Sequence, residues 1–198
     1  PHSAHRGPPC IWTFLSSLGE NGCLSILPVK LGEDQTSGRG EGAVKIAIGC
    51  DEAAYSLKEE IRGYLLAQTD VPVEVEDFGV HSTDPVDYPD IAVRVAEAVA
   101  ARRFDRGILL CGTGIGMAIT ANKVRGIRAA VCHDTYSAER AQKSNDAQIL
   151  AMGARVVGPE LAKKVVATWL QSSFAGGGSA RKVDKIMQVE AKYMGRSR

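Results

Sequence analysis

The chain has 198 residues, with 24 lysine and arginine residues against 23 aspartate and glutamate residues, and a formal net charge of +1. Because the two signs nearly balance, the composition lacks the basic excess that favours nucleic acids or anionic membranes, and we expect neither as a partner. No apolar run approaches the roughly 20 residues that a membrane-spanning helix needs, and the length suits one domain with a short appendage.

In chain order, the first segment is residues 1–43, where Gly, Pro and Ser are scattered without periodicity. This composition predicts an irregular extension, with the folded domain beginning at residue 44. The alternative is that the short apolar runs at 11–15 and 24–29 add strands or cover an interface.

From residue 44 onward, strand-like and helix-like apolar patterns alternate. Strands are predicted at residues 44–50, 71–78, 107–111, 128–132 and 149–152. Helices are predicted at residues 54–67, 89–101, 114–124, 137–144, 159–170 and 180–194. This order indicates an α/β protein, a Rossmann-like three-layer sandwich in which a five-stranded parallel sheet carries helices on both faces.

The α/β domain is expected to span residues 44–174. Residues 175–179 include three consecutive glycines and would form a hinge that frees the last helix from the compact body. We therefore expect residues 175–198, the hinge and the C-terminal helix, to be a dimer arm that belongs to the same domain.

The cysteines form no Cys-x-x-Cys pair and no even set; they are Cys10, Cys23, Cys50, Cys111 and Cys132. This usage is typical of free thiols in a reducing compartment, so we expect a cytoplasmic protein. His133 and the cysteines also lack metal-ligand spacing, so we do not expect a metal site.

The most informative stretch is Cys111-Gly112-Thr113-Gly114-Ile115-Gly116, which lies between the third predicted strand and the third predicted helix. It places a thiol where a strand ends, and it places bare backbone N–H groups beside that thiol at a helix N-terminus. Such a site favours both a thiolate and a bound oxyanion. Cys111 would otherwise be a small core residue, as cysteines at strand ends often are.

Open α/β sheets bind ligands at the carboxyl ends of their strands. That rule selects polar residues after four of the strands. They are Cys50, Asp51, Glu52, His81, Ser82, Asp87, Tyr88, Cys111, Gly112, Thr113, Cys132, His133 and Asp134. Simpler interpretations exist for several of them, because Cys50 and Cys132 suit packing, and Asp51 and Asp134 suit helix N-caps.

Besides an enzyme that uses Cys111, two other classes of protein are compatible with these residues alone. The glycines at 112, 114 and 116 partly resemble a dinucleotide fingerprint, and Asp134 follows about 20 residues later, as a ribose-binding acid would. The third glycine comes one residue early, however, and the motif follows the third strand and not the first. The other class is a non-catalytic binding protein that kept the crevice and lost turnover.

Six motifs, in order and with matching spacing over residues 44–193, resemble the type B ribose-5-phosphate isomerases, a family that includes the galactose-6-phosphate isomerase subunits. They are Gly49-Cys50-Asp51, Asp87-Tyr88-Pro89, Cys111 to Gly116, Ala121-Asn122-Lys123, Gly126-Ile127-Arg128-Ala129 and Asn145-Asp146. The resemblance implies a cofactor-free enzyme of the pentose phosphate pathway that interconverts ribose 5-phosphate and ribulose 5-phosphate through a cis-enediolate. It also implies a homodimer or tetramer with shared active sites. The non-catalytic alternative would then be a sugar-binding protein.

The resemblance implies a role for each matching residue. Cys111 would be the base that carries the proton between C2 and C1, Thr113 would orient the sugar, and His133 would be the acid that opens the furanose ring. The substrate-binding residues would be Asp51, Glu52, Tyr88, Gly112, Gly114, Ile115, Gly116, Asn122, Asn145 and Lys182.

Some phosphate-binding positions of the family differ in this chain. Glu52 stands where relatives carry His, Gln142 where they carry Arg, and Gly178, Ser179 and Lys182 stand where they carry Arg and His or two Arg. Each lost charge-assisted contact is worth about 1.5–3 kcal/mol. The same chemistry on another sugar phosphate, or on an unphosphorylated sugar, is therefore the alternative to ribose 5-phosphate.

Overall fold

The structure is a computed structural model that describes residues 42–67 and 70–195. All the described residues belong to one compact unit of the chain, which spans Gly40–Arg198. Apart from residues 42 and 43, the predicted N-terminal extension lies outside the described residues.

The described strands and helices alternate along the chain. The strands are β1 (Val44–Cys50), β2 (Val73–Asp77), β3 (Arg106–Cys111), β4 (Ala129–Val131) and β5 (Ile149–Gly153). The helices are α1 (Tyr55–Ala67), α2 (Tyr88–Ala100), α3 (Ile115–Ala121), α4 (Thr135–Asn145), α5 (Pro159–Gln171) and α6 (Ala180–Met194), with short 3-10 helices at Glu52–Ala54 and Gly177–Ser179.

All the strand pairs are parallel, and the strand order is β2-β1-β3-β5-β4. The predicted Rossmann-like fold is thereby confirmed. The chain leaves β1 toward β2 on one side and returns to β3 on the other, so the carboxyl ends of β1 and β3 form the switch point where such sheets bind ligands. The side of the sheet where its strands end is the carboxyl edge, and the side where they begin is the amino edge.

Burial follows the position of each strand. Every residue of β3 and β5 is buried, whereas the outer strand β2 alternates and exposes Glu74 and Glu76. Arg106, the first residue of β3, is buried and donates hydrogen bonds to the carbonyls of Trp169, Leu170 and Ser172 at the end of α5. These bonds satisfy carbonyls that the end of a helix leaves unpaired.

The C-terminal helix has the predicted bounds, but it is not free of the compact body. The N–H of Gly126 donates to Oε1 of Glu190 at 2.8 Å, and Nη1 of Arg128 lies 3.3 Å from Sδ of Met187. Elsewhere α6 exposes Ile186, Val189, Tyr193 and Met194. The helix therefore packs on the amino edge and presents further apolar side chains outward. Within the described part of the chain, no helix combines the length and apolarity required to cross a membrane.

Candidate active site

Cys111 ends β3 at the switch point and is buried, with 5% of its surface exposed. The chain turns sharply after it, and the N–H of Gly114 donates a hydrogen bond to Cys111 Sγ at 3.0 Å. Gly114 has a φ of +77°, and a Cβ there would lie 2.9 Å from the carbonyl carbon of Met152. Only glycine suits both conditions. The turn therefore directs a backbone donor at the sulfur.

Thr113 lies on the rim of this turn, exposed to solvent. Its Oγ1 accepts a hydrogen bond from the N–H of Ile115 at 3.4 Å. Its backbone lies against Gly153, where an added Cβ would come within 2.6 Å of Thr113 Cα. The ends of β3 and β5 therefore touch, and the hydroxyl of Thr113 lies at the mouth of the site.

His133 follows β4 and lies at the carboxyl edge near Cys111, on the other side of β5. Its Nε2 accepts a hydrogen bond from the N–H of Gly153 at 3.0 Å, and Gly153 is the residue paired with Cys111 in the sheet. Because Nε2 accepts, a neutral imidazole in this position carries its proton on Nδ1. The structure thus brings His133 and Cys111 to opposite sides of one glycine.

Asp51 and Glu52 follow β1, next to the end of β3, and the N–H of Asp51 donates to the carbonyl of Leu110. Asp51 is buried and caps the first 3-10 helix by accepting from the N–H of Ala54. Burial, and next the charge of Glu52, raise the pKa of Asp51. Glu52 points to the rim, where its Oε2 accepts from the N–H of Val86 at 3.3 Å.

Tyr88 begins α2, and its ring covers the start of α3. A Cβ on Gly116 would lie 2.6 Å from Cζ and 2.7 Å from the hydroxyl oxygen of Tyr88. The third glycine of the motif is therefore explained by the close approach of this ring, and Tyr88 presents its hydroxyl beside the turn. Ile115, between the two glycines, is exposed.

Arg155 is a site residue that the carboxyl-edge rule would have selected if it had been applied to the fifth strand. Its N–H donates to the carbonyl of Gly112 at 3.0 Å. Its side chain lies over the same residue, since a Cβ on Gly112 would be 3.5 Å from Nε and 3.6 Å from Cζ of Arg155. Its charge also lowers the pKa of Asp51, against the larger effect of burial. A guanidinium thus lies beside the glycine turn.

Three predicted substrate-binding residues are not brought to Cys111 within one chain. Asn122 follows α3 at the amino edge, where its amide accepts from the N–H of Ala129 and donates to the carbonyl of the same residue. Within one chain Asn122 therefore lies away from Cys111, and its contact with the sugar stays a prediction. Asn145 ends α4 at the same edge, and Lys182 is exposed on α6.

Other residues have structural roles. Asp134 caps α4 by accepting from the N–H of Ser137 at 2.7 Å, which confirms the simpler interpretation of that residue. Burial raises the pKa of Cys50 and of Cys132 to about 11, so both are packing thiols.

Gln142 is buried, and its amide donates to the carbonyl of Ala147. Within residues 42–67 and 70–195, no three His, Cys, Asp or Glu side chains are grouped as a metal site would require.

Comparison with known proteins identifies the family. Residues 46–186 match a family model described as ribose/galactose isomerase. The chain belongs to this family. As a member of the ribose/galactose isomerase family it is an enzyme, an aldose–ketose isomerase of the sugar-phosphate class, and the dinucleotide-binding and non-catalytic interpretations are set aside.

Relatives within the ribose/galactose isomerase family are matched over nearly their whole length. The D-erythrulose-4-phosphate isomerase of Pectobacterium atrosepticum is 56% identical over 147 residues, which cover 74% of this chain and 95% of the relative. The ribose-5-P isomerase B of Listeria innocua is 54% identical, covering 75% and 99%. The solved ribose-5-phosphate isomerase B of Clostridium thermocellum is 51% identical with a TM-score of 0.73, covering 76% and 99%.

Proposed function

We propose that the protein interconverts ribose 5-phosphate and ribulose 5-phosphate without a cofactor, with Cys111 as the base. The observation that carries this proposal is the hydrogen bond from the Gly114 N–H to Cys111 Sγ at the switch point of the sheet. A thiolate held there can remove a carbon-bound proton, and the neighbouring N–H groups can bind the oxygen that becomes negative.

The reaction begins with the closed sugar. His133, with its proton on Nδ1, donates that proton to the ring oxygen O4 as the C1–O4 bond breaks. The anomeric O1–H loses its proton at the same time, that proton returns to Nδ1 through water, and the furanose opens to the aldehyde. The Cys111 thiolate then takes the proton from C2; the electron pair forms a double bond between C1 and C2, and negative charge moves to O1. The N–H groups of residues 112–116 stabilise this cis-enediolate, and such donors typically contribute about 3 kcal/mol each. Return of the proton to C1, with transfer of the O2 proton to O1, gives the ketose.

Arg155 supplies the positive charge for the phosphate in this proposal. It lies over Gly112 and acts on Asp51, so it offers a planar pair of donors close to the reacting thiol. Guanidinium groups bind phosphate through two parallel hydrogen bonds. This contact offsets part of what is lost at Glu52, where the family pattern has a cationic side chain.

A second copy of the chain would complete the site. Asn145 and Lys182 lie away from the Cys111 of their own chain, so they can serve a sugar only across an interface. Beside Cys111, α3 exposes Ile115 and Ile119, which are 54% and 57% exposed. Neighbouring apolar side chains of this kind suit burial in a homodimer. The cysteines at 50, 111 and 132 are free, which supports the cytoplasm as the compartment.

A tetrose 4-phosphate is the second candidate substrate, favoured by the 56% identity to the Pectobacterium enzyme. In such a sugar O4 carries the phosphate, so no furanose can close and no acid is needed to open one. The proton transfer by Cys111 is the same for both substrates. Ring opening by His133 is the step that separates them.

The test is an isomerase assay without added metal, with ribose 5-phosphate, erythrulose 4-phosphate and unphosphorylated ribose run in parallel and Cys111→Ala as the control. A kcat/KM of about 10⁴ M⁻¹s⁻¹ or more on ribose 5-phosphate, absent from the variant, supports the first proposal. Turnover of erythrulose 4-phosphate alone moves the assignment to the tetrose. Turnover of ribose without phosphate removes the role of Arg155.

A further inference from the structure

Lys58 is a fully buried lysine on the inner face of α1. It lies among Leu57, Ile61 and Leu65, which are also buried, and none of its surface is exposed. A lysine is rarely buried unless it is paired, because loss of hydration is costly for an ammonium group. Its position in an apolar stripe therefore calls for an explanation.

The ammonium group joins the last residue of β2 to the turn that follows it, and it also lies 3.1 Å from Oε1 of Glu59. Nζ of Lys58 donates to Oδ2 of Asp77 and to the carbonyl oxygen of Val80, both at 2.6 Å. The other oxygen of Asp77 accepts from the N–H of Gly79 at 2.8 Å. Lys58 thus holds the end of β2 and the turn that comes after it in one arrangement.

That turn is bonded directly to the strand that delivers Asp51. The N–H of Val80 donates to the carbonyl of Cys50 at 3.0 Å, and the N–H of Cys50 donates to the carbonyl of Gly79 at 2.7 Å. Lys58 is therefore connected, through Val80 and Cys50, to Asp51 of the candidate site.

Beyond Val80 the chain crosses the rim of the site as an exposed segment, residues 81–87. The segment is held near its far end, where the N–H of Val86 donates to Glu52 at 3.3 Å. It then leads into Tyr88, whose ring covers Gly116. The path of residues 81–87, and therefore the position of Tyr88, depends on the position and orientation of the backbone at Val80.

An apolar side chain in place of Lys58 would satisfy packing, and replacing buried ion pairs by apolar groups is often neutral or stabilising. An apolar residue, however, cannot form hydrogen bonds that fix the positions of neighbouring polar groups. The two bonds from Nζ hold a carbonyl and a carboxylate at defined points, and this is the property that a rim segment without secondary structure requires.

We propose that Lys58 is a positioning residue for the isomerase site, which sets the course of residues 81–87, and thereby the placement of Tyr88 and of the Glu52–Val86 contact, through Asp77 and Val80. Lys58 touches no substrate in this role. The activity part of its test rests on the proposed function, whereas the structural part does not.

The experiment compares the full chain with Lys58→Met and with the milder Asp77→Asn, using hydrogen exchange of peptides followed by mass spectrometry and steady-state kinetics. The matched control is Arg106→Met, which also removes a buried cation that bonds backbone carbonyls, but at the amino edge. Local opening without global unfolding is what exchange detects.

We expect peptides covering residues 78–88 to exchange at least about tenfold faster in Lys58→Met, while peptides of β3 and β5 keep their protection. We expect kcat/KM on the best substrate to fall about 10- to 100-fold, mostly through KM, because misplacement at a distance is costly. Arg106→Met should lower the melting temperature and leave both the exchange of residues 78–88 and KM unchanged.

Unchanged exchange at residues 78–88, or faster exchange spread evenly over the sheet, would overturn the proposal. If Lys58→Met does not fold, the same readouts on Asp77→Asn decide. Localised exchange in the variant, together with a wild-type protein inactive on every sugar phosphate tested, would reject the proposed function and leave the positioning role in place.

Discussion

The backbone N–H of Gly114 donates a hydrogen bond to the sulfur of Cys111, three residues earlier in the chain, over 3.0 Å. The donor belongs to a glycine with positive φ that packs against the backbone of Met152. The donor that would hold a thiolate therefore belongs to the backbone of the turn, whose course is fixed by the close packing of Gly114 against Met152.

Cys111→Ala should abolish turnover of the best substrate, because no other group in the proposed mechanism takes the C2 proton. Circular dichroism and the melting temperature should stay close to those of the parent, since alanine is tolerated at a buried strand end. The control is Cys132→Ala, which removes another buried thiol and should keep most of the activity. Retained turnover in Cys111→Ala would eliminate the proposed base.

Gly114→Ala should lower kcat about 10²- to 10³-fold, which is the cost of losing one donor to a developing anion. The added Cβ would meet the backbone of Met152 at 2.9–3.1 Å in a conformation that alanine disfavours, so the turn must shift. Gly63→Ala is the matched control, since nothing lies near its Cβ, and it should leave kcat unchanged and stabilise α1. Equal kcat in the two variants would contradict the role of the turn.

His133→Ala should slow sugars that form a furanose more than sugars that stay open. We expect a loss of about 10²- to 10⁴-fold for ribose 5-phosphate, as for other general acids, and a much smaller loss for erythrulose 4-phosphate. The measurement is kcat/KM for both substrates with each protein. A loss of the same size on both would assign His133 to something other than ring opening.

Arg155→Met should raise KM for phosphorylated sugars about 10- to 100-fold, because one charge-assisted contact is worth about 1.5–3 kcal/mol. Arg155→Lys should recover only part of the loss, since an ammonium cannot form the paired contact. Inhibition by inorganic phosphate, measured with the same variants, should weaken in parallel. Unchanged phosphate inhibition would place the anion elsewhere.

Asp51→Asn should be more stable than the parent at neutral pH, and the gain should vanish in acid. Burial, followed by the charge of Glu52, raises the pKa of Asp51 in the folded protein, so ionising this carboxyl opposes folding. The parent is therefore penalised as pH rises through the raised pKa, and the penalty is absent below about pH 3.9, the ordinary value for Asp. Asparagine keeps an oxygen for the N–H of Ala54.

Urea unfolding of the two proteins between about pH 3 and pH 8 checks this prediction. A stability difference that does not depend on pH would show that Asp51 is not the group responsible. Activity should fall in Asp51→Asn if the carboxylate lines the sugar site, in line with the usual cost of an active-site residue to stability.

Much of the fold could be predicted because it depends on local periodicity. Strand β1 and helix α6 have the predicted bounds, and the predicted bounds of β5 and α5 differ from the structure by one residue at the C-terminal end. Helix α3 is shorter than predicted, ending at Ala121 where residue 124 was expected. The apolar pattern continues past that point, but the side chain of Asn122 bonds to Ala129, a partner that only the folded chain supplies.

The candidate site also contains residues that the sequence predicts and residues that only the folded chain reveals. Cys111 and its glycines are informative as a sequence because the turn, its donors and its thiol lie within six consecutive residues. Lys58 gave no such signal, since a lysine on a helix is ordinary in any sequence, and the only signal from Arg155 was its place after the fifth strand. Their roles come from contacts across the sheet, between Arg155 and Gly112 and between Lys58 and Val80.

The sequence by itself determined the alternation of strands and helices, the glycine turn after Cys111 and the family, because each depends on residues that are neighbours along the chain. The tertiary structure alone decided which side chains share the carboxyl edge. It placed Arg155 over Gly112, kept Asn122 and Asn145 at the opposite edge, and buried Lys58 beneath the segment of residues 81–87. The physical reason is that parallel strands bring together residues from distant parts of the chain. The order of those strands cannot be predicted from the local apolar pattern.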